Sequence, residues 1–217
     1  MSGAWQWSND FGPEGAKALV GALSSMPNLT SLNLGNNEIG PEGFKALAVA
    51  LSSTPNLTTL AVDGNKIGPE GAKALAVALS SMPNLIALSL RDNAIGPWQK
   101  GNAIGPEGAK ALAGALSSMP NLTALDLGSC DLGPEGAKAL AGALSSMPNL
   151  TELALGNNEI GPEGFKALAG ALSSMPNLTE LQRDRAGGIQ SAGGGGGGGD
   201  VGGLAVEQRL RAGGSKG

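Results

Sequence analysis

The chain has no histidine, no tyrosine, a single cysteine and only six aromatic residues among 217. Without histidine there is no Ser-His-Asp triad and no imidazole to hold zinc; one cysteine allows neither a thiolate cluster nor an internal disulfide. No apolar run approaches the roughly 20 residues that a membrane-spanning helix needs. The opening residues Met1-Ser2-Gly3-Ala4-Trp5 carry no basic segment followed by an apolar stretch, and Ser2 rules out a myristoylation signal. A net charge of −4 supplies no basic stripe for phosphate. These absences predict a soluble cytoplasmic protein without cofactor, nucleic-acid partner or membrane partner.

Glycine and proline, by contrast, are plentiful, at 37 and 13 residues. That content lies just below the level typical of aperiodic low-complexity chains. A hydrophobic fraction of 41% with only 15% charged residues argues instead for a packed core. The prolines themselves resolve the matter, because they are periodic. Gly-Pro recurs with its proline at 13, 41, 69, 97, 106, 134 and 162, and Pro-Asn with its proline at 27, 55, 83, 120, 148 and 176. The spacing is 28 residues except between Pro69 and Pro106, where nine more are inserted.

One unit runs from Leu29 to Asn56. Leu32 and Leu34 alternate at strand period, whereas Phe44, Leu47, Ala48 and Leu51 fall at i, i+3, i+4 and i+7, the spacing of a helical stripe. Pro41 suits the first helical position, where no N–H is required, and Glu42 faces the positive end of the helix dipole. Pro55 closes the segment, since the residue before a proline is pushed out of the α region. Each unit is therefore predicted to be one short strand and a helix of about three turns. Neither element can bury its apolar face alone, so the units must stack.

Leu-x-x-Leu-x-Leu-x-x-Asn-x-Ile followed by Gly-Pro-Glu-Gly-x-Lys-Ala-Leu-Ala resembles the leucine-rich repeat of the ribonuclease-inhibitor type, a unit also found in NOD-like receptors and in Ran GTPase-activating protein. The resemblance covers residues 9–181 and implies an α/β solenoid, with a curved parallel sheet on the concave side and helices on the convex side. The motif asparagines at 37, 65, 93 and 158 are expected to turn their amides inward onto backbone groups. Cys130 occupies the same slot and reads as a buried ladder residue rather than a reactive thiol, because no neighbouring cation would activate it.

Three places depart from the lattice. The insertion at 93–101 is a short tandem duplication: Asn93-Ala-Ile-Gly-Pro97 is followed by Asn102-Ala-Ile-Gly-Pro106. Asn93 keeps the spacing to Leu88 and Leu90, so the excess is expected to bulge near Trp98, as a tolerated surface loop or as a Trp anchor for a partner. At the start, the strand positions equivalent to Leu32 and Leu34 hold Ala4 and Gln6, which predicts entry into the array in mid-unit, with Trp5 and Trp7 shielding the open end. At the other end Arg183 stands where Leu155 stood one unit earlier. Residues 182–217 hold 14 of the glycines, with five basic and three acidic groups, and are expected to form a disordered tail beyond the array of residues 1–181. Five Asn-Leu-Thr triplets, beginning at Asn28, Asn56, Asn121, Asn149 and Asn177, are formal glycosylation acceptors expected to stay unmodified.

The helical halves of the units are near copies, whereas the residues flanking the strand leucines vary. By the period-2 rule the latter point onto the concave face. Asn33, Asp63, Ser89, Arg91, Asp126, Glu152 and Glu180 are the candidate binding residues there, a mildly acidic set without aromatics, and Trp98 is the candidate on the inserted loop. They predict a non-enzymatic module that binds a protein partner, a basic one by charge complementarity. The resemblance to Ran GTPase-activating protein implies an alternative, regulation of a small GTPase. A non-functional fragment of a longer array is a third reading.

Overall fold

The computed structural model describes residues 3–5, 9–91 and 102–182, with residues 3–5 and Gln182 described by backbone alone. Strands and helices alternate along the chain: β1 (Gly3–Trp5), α1 (Gly12–Ser24), β2 (Ser31–Asn33), α2 (Gly40–Leu51), β3 (Thr59–Ala61), α3 (Gly68–Leu79), β4 (Ala87–Ser89), α4 (Gly105–Leu116), β5 (Ala124–Asp126), α5 (Gly133–Leu144), β6 (Glu152–Ala154), α6 (Gly161–Leu172) and β7 (Glu180–Gln182). The strands form one parallel sheet in chain order, β1 to β7. Its register aligns the unit leucines: Leu32 pairs with Leu60, Leu60 with Leu88, Leu88 with Leu125 and Leu125 with Leu153. All five are at most 2% exposed. The fold is the leucine-rich-repeat solenoid, with the sheet on the concave side and the helices on the convex side.

Two expectations are corrected. The chain does not enter the array in mid-unit: Gly3–Trp5 forms a first strand, with Ala4 in register with Leu32. Backbone hydrogen bonding does not depend on a leucine at that position, and so the strand forms where the apolar pattern had lapsed. The ladder slot expected for Asn93 is taken by Asn102, whose Oδ1 accepts the Asn65 N–H at 2.8 Å. Asn93, Trp7, Trp98 and the segment after Gln182 lie outside the described residues.

The strand-to-helix passage of each unit uses the left-handed backbone region. The glycine of every described Gly-Pro pair has φ between +59° and +66°, and the Gly40 N–H thereby reaches the Asn65 carbonyl at 2.9 Å. Two residues earlier, Glu38, Lys66, Asp131 and Glu159 are also left-handed, at φ of +48° to +57°, without glycine's freedom. Lys66 and Glu38 are one unit apart and pair on the surface at 2.7 Å.

The helices pack through small residues. A Cβ at Gly71 would lie 3.2 Å from Pro41 Cα and 3.3 Å from Phe44 Cβ, both in the preceding helix. Gly114 and Gly142, on the outer helical face, have nothing within 4 Å of such a Cβ, and the same slot holds Val49 and Val77 at 69% and 70% exposure. Gly114→Ala and Gly142→Ala are therefore expected to stabilise the fold by about 0.5–1 kcal/mol each, through higher helix propensity and a less flexible unfolded chain. Urea unfolding of the single and double variants checks this. Among the described residues no helix is long and apolar enough to cross a membrane.

Candidate functional site

On the concave side β2 to β5 each bury their central leucine and leave the flanking side chains half-buried. Two of the predicted site residues serve their own backbone: Asn33 Oδ1 accepts the Gly35 N–H and Asp126 Oδ1 accepts the Gly128 N–H, both at 2.9 Å. These are the local turns that Asn and Asp side chains form two residues on.

Asp63, Ser89, Arg91 and Asp126 come together across β3 to β5. Ser89 Oγ donates to Asp63 Oδ1 in a short hydrogen bond. Arg91 Nη1 lies 3.9 Å from Asp126 Oδ2, with both side chains largely covered. Beside them runs a shallow groove of about 260 Å³ over the β3 to β6 strands, floored by Leu60, Leu88, Leu125 and Leu153. Burial pushes the Asp63 carboxyl above its ordinary pKa; the Ser89 hydrogen bond opposes this and the Asp126 charge reinforces it.

A carboxyl whose pKa is higher folded than unfolded binds more protons in the folded state. Its ionisation therefore costs stability as pH rises through the folded value, and the cost vanishes below the unfolded value. Asp63→Asn, which keeps an acceptor for Ser89, is expected to raise the melting temperature by a few degrees at most at neutral pH. The gain should shrink to nothing as pH falls below the ordinary carboxyl range, and melting curves across that range check it.

Glu152 and Glu180 differ from this cluster. They are in register on β6 and β7 and both are exposed. The predicted set thus divides by burial: Asp63, Ser89, Arg91 and Asp126 are partly covered, whereas Glu152 and Glu180 at the C-terminal end of the sheet are exposed.

One edge of the sheet lies apart from the predicted face. The Asn-Leu-Thr triplets line a groove of about 810 Å³ where strands begin. Asn56 Nδ2 donates to the Pro27 carbonyl at 3.0 Å and Thr58 Oγ1 to the Thr30 carbonyl at 2.8 Å, and the pattern recurs at Asn121, Asn149, Asn177 and Thr151. These side chains tie each unit to the one before it, and the recurrence of the triplet was the available signal. Cys130 is fully buried, with its Sγ 3.3 Å from the Leu90 carbonyl. Among the described residues no group of three or more His, Cys, Asp or Glu could hold a metal.

A leucine-rich repeat family model matches residues 25–48, 54–76, 100–113, 118–141 and 146–169. No curated protein matches the chain. Solved structures of similar fold include the tropomodulin C-terminal domain of Caenorhabditis elegans, 12% identical over 89% of this chain and 92% of that one, with a TM-score of 0.50. Another is the leucine-rich repeat-containing protein LegL7 from Legionella pneumophila, 24% identical over 83% of this chain and 54% of that one, with a TM-score of 0.52.

Proposed function

Since the chain belongs to the leucine-rich repeat family, we propose that it is a non-enzymatic module that binds a basic protein partner on the concave face. The observation that carries this is the exposed pair Glu152 and Glu180 at the C-terminal end of the sheet, beside a groove with an apolar floor. Asp63 is held by Ser89, Asp126 and Glu152 line the groove, and Glu152 and Glu180 supply the exposed charge. Among the residues whose side chains are described, the face has no aromatic anchors, and so binding should be modest in affinity and sensitive to salt. A helix after each strand in a 28-residue unit supports the ribonuclease-inhibitor type within the family. The buried thiol of Cys130, outside any disulfide, is compatible with a reducing, cytoplasmic compartment.

The test is capture from native lysate by the immobilised chain. Glu152→Lys with Glu180→Lys is expected to lower recovery of the captured partner at least about tenfold, equivalent to some 1.4 kcal/mol, whereas Asp63→Asn should leave it within about twofold. Recovery that survives the double charge reversal but is lost on Trp98→Ala would move the site to the inserted loop.

A further inference from the structure

We propose that the array continues end to end into a second copy of the same chain, with β7 of one copy and α1 of the next forming one shared unit. At the C-terminal end, β7 has no helix over it among the described residues, and Leu181 is only half-buried where the equivalent leucines are at most 2% exposed. On α6, Phe165 is partly exposed, whereas Ala16, Phe44, Ala72, Ala109 and Ala137 in that slot are at 0%. The twelve residues in frame for a next helix, 189–200, include the run Gly193 to Gly199. In a helix each of these would cost about 1 kcal/mol relative to alanine.

The N-terminal end shows the complementary lack. Ala22 of α1 is exposed, whereas Ala50, Ala78, Ala115, Ala143 and Ala171 in that slot are at most 6% exposed; Met26 is 45% exposed against 1% for Met82. The atoms nearest a Cβ at Gly15 belong to Phe11 of its own unit, whereas the equivalent glycines meet the preceding helix. The strand belonging to α1 carries Ala4 where the others carry leucine.

What covers such faces is visible inside the chain. The first eight residues of α6, Gly-Pro-Glu-Gly-Phe-Lys-Ala-Leu, are identical to those of α2, and the first eight of α1 are identical to those of α3. The α2–α3 contact, with Phe44 against Gly71, is thus available again between Phe165 of one copy and Gly15 of another. Charge follows the same lattice: the Lys45 ammonium is held above its ordinary pKa first by its hydrogen bond to Glu42 and, at longer range, by Glu70 of the next helix. Lys166 would meet Glu14 of the second copy in that way. The ladder agrees too, because the slot 28 residues after Asn158 holds Ala186 in the same chain, whereas a second copy offers Asn9. In this arrangement β1 of the second copy gives way to β7, and Leu181 supplies the apolar side chain that Ala4 lacks, an exchange of strand between copies.

Such a contact is head-to-tail, so it builds rings or open filaments rather than a closed two-fold dimer. Sedimentation velocity of the full chain over a roughly hundredfold range of concentration should show mean mass rising past that of a dimer. Ala22→Arg and Ala169→Arg, one on each face, should each sediment as monomers, and their mixture should give a dimer and nothing larger. Ser31→Cys with Glu180→Cys reports the strand exchange. Within one chain these positions are five strands apart, about 24 Å, whereas across the proposed contact they are neighbours. A disulfide-linked ladder on a non-reducing gel is the expected result. A monomer at every concentration, a dimer that survives both arginine variants, or an oligomer without the cross-linked ladder would overturn the proposal. None of these readouts depends on the concave-face partner.

Discussion

Asn65→Ala is expected to lower the unfolding free energy by about 3–5 kcal/mol, a large fraction of what a domain of this size has. The Asn65 side chain is fully buried, and both ends of its amide are used. Its Oδ1 accepts the N–H groups of Asn37 at 2.9 Å and Ile39 at 3.4 Å, in the preceding unit. Its Nδ2 donates to the carbonyls of Leu34 at 2.8 Å and of Val62 and Asp63 at 3.0 Å. Alanine leaves the Asn37 N–H and these carbonyls without that partner in a region closed to water, and each such group costs about 1–3 kcal/mol. Relaxation and shared acceptors reduce the sum, hence the stated range. The damage should also be local, because units couple only to their neighbours. Hydrogen exchange should therefore show loss of protection centred on the units of β2 and β3, and equilibrium urea unfolding gives the magnitude.

Cys130 is the natural comparison, since the same slot there lacks an amide. Asn158 Oδ1 still accepts the Cys130 N–H at 2.8 Å, so the ladder enters Cys130 from one side unchanged. On the other side the thiol, at 3.3 Å from the Leu90 carbonyl, is a weaker donor than an amide. Cys130→Asn should accordingly move stability in the opposite direction to Asn65→Ala, by about 1 kcal/mol, the net value of one typical hydrogen bond.

The lattice itself was legible because two periods, 2 and 3.6, repeat at a fixed interval, and each proline lies at the boundary between them. What the sequence left open were choices between local copies. Spacing to the strand favoured Asn93 as the ladder residue, whereas spacing to the helix favoured Asn102. The helix decides, because its fourth residue must pass close to the preceding helix: Gly108 can do so, whereas the first copy of the duplication offers Gln99 there. The left-handed residues Glu38, Lys66 and Glu159 left no compositional trace, since nothing about their side chains asks for that conformation; only Asp131 in that slot is of a type that adopts it readily. The candidate site was legible as a face but not as a gradient of availability. Alternation places Asp63 and Glu152 alike beside buried leucines, and only the neighbours, Ser89 above all, show that one is engaged and the other exposed.

Gly108→Val is the second large effect, expected to cost about 2–4 kcal/mol by overpacking. A Cβ at this position would stand 2.7 Å from Ile104 Cγ2, 2.9 Å from Ala72 Cβ and 3.3 Å from Pro69 Cα. Ile104 and Ala72 are both at 0% exposure, so neither can swing into solvent, and the Pro69 contact is backbone. The helices α3 and α4 would have to separate, and α4 is also held against α5 through Gly136, whose own Cβ would lie 3.0 Å from Ala109 Cβ. Separation on one side therefore strains the next contact, and the cost exceeds that of a single clash. Gly108→Ala should cost less than the valine variant, and Gly114→Ala, six residues further along the same helix with open space around it, should stabilise. The ordering of these three variants in urea unfolding separates close helix approach from helix propensity, because propensity alone would make both alanine substitutions favourable.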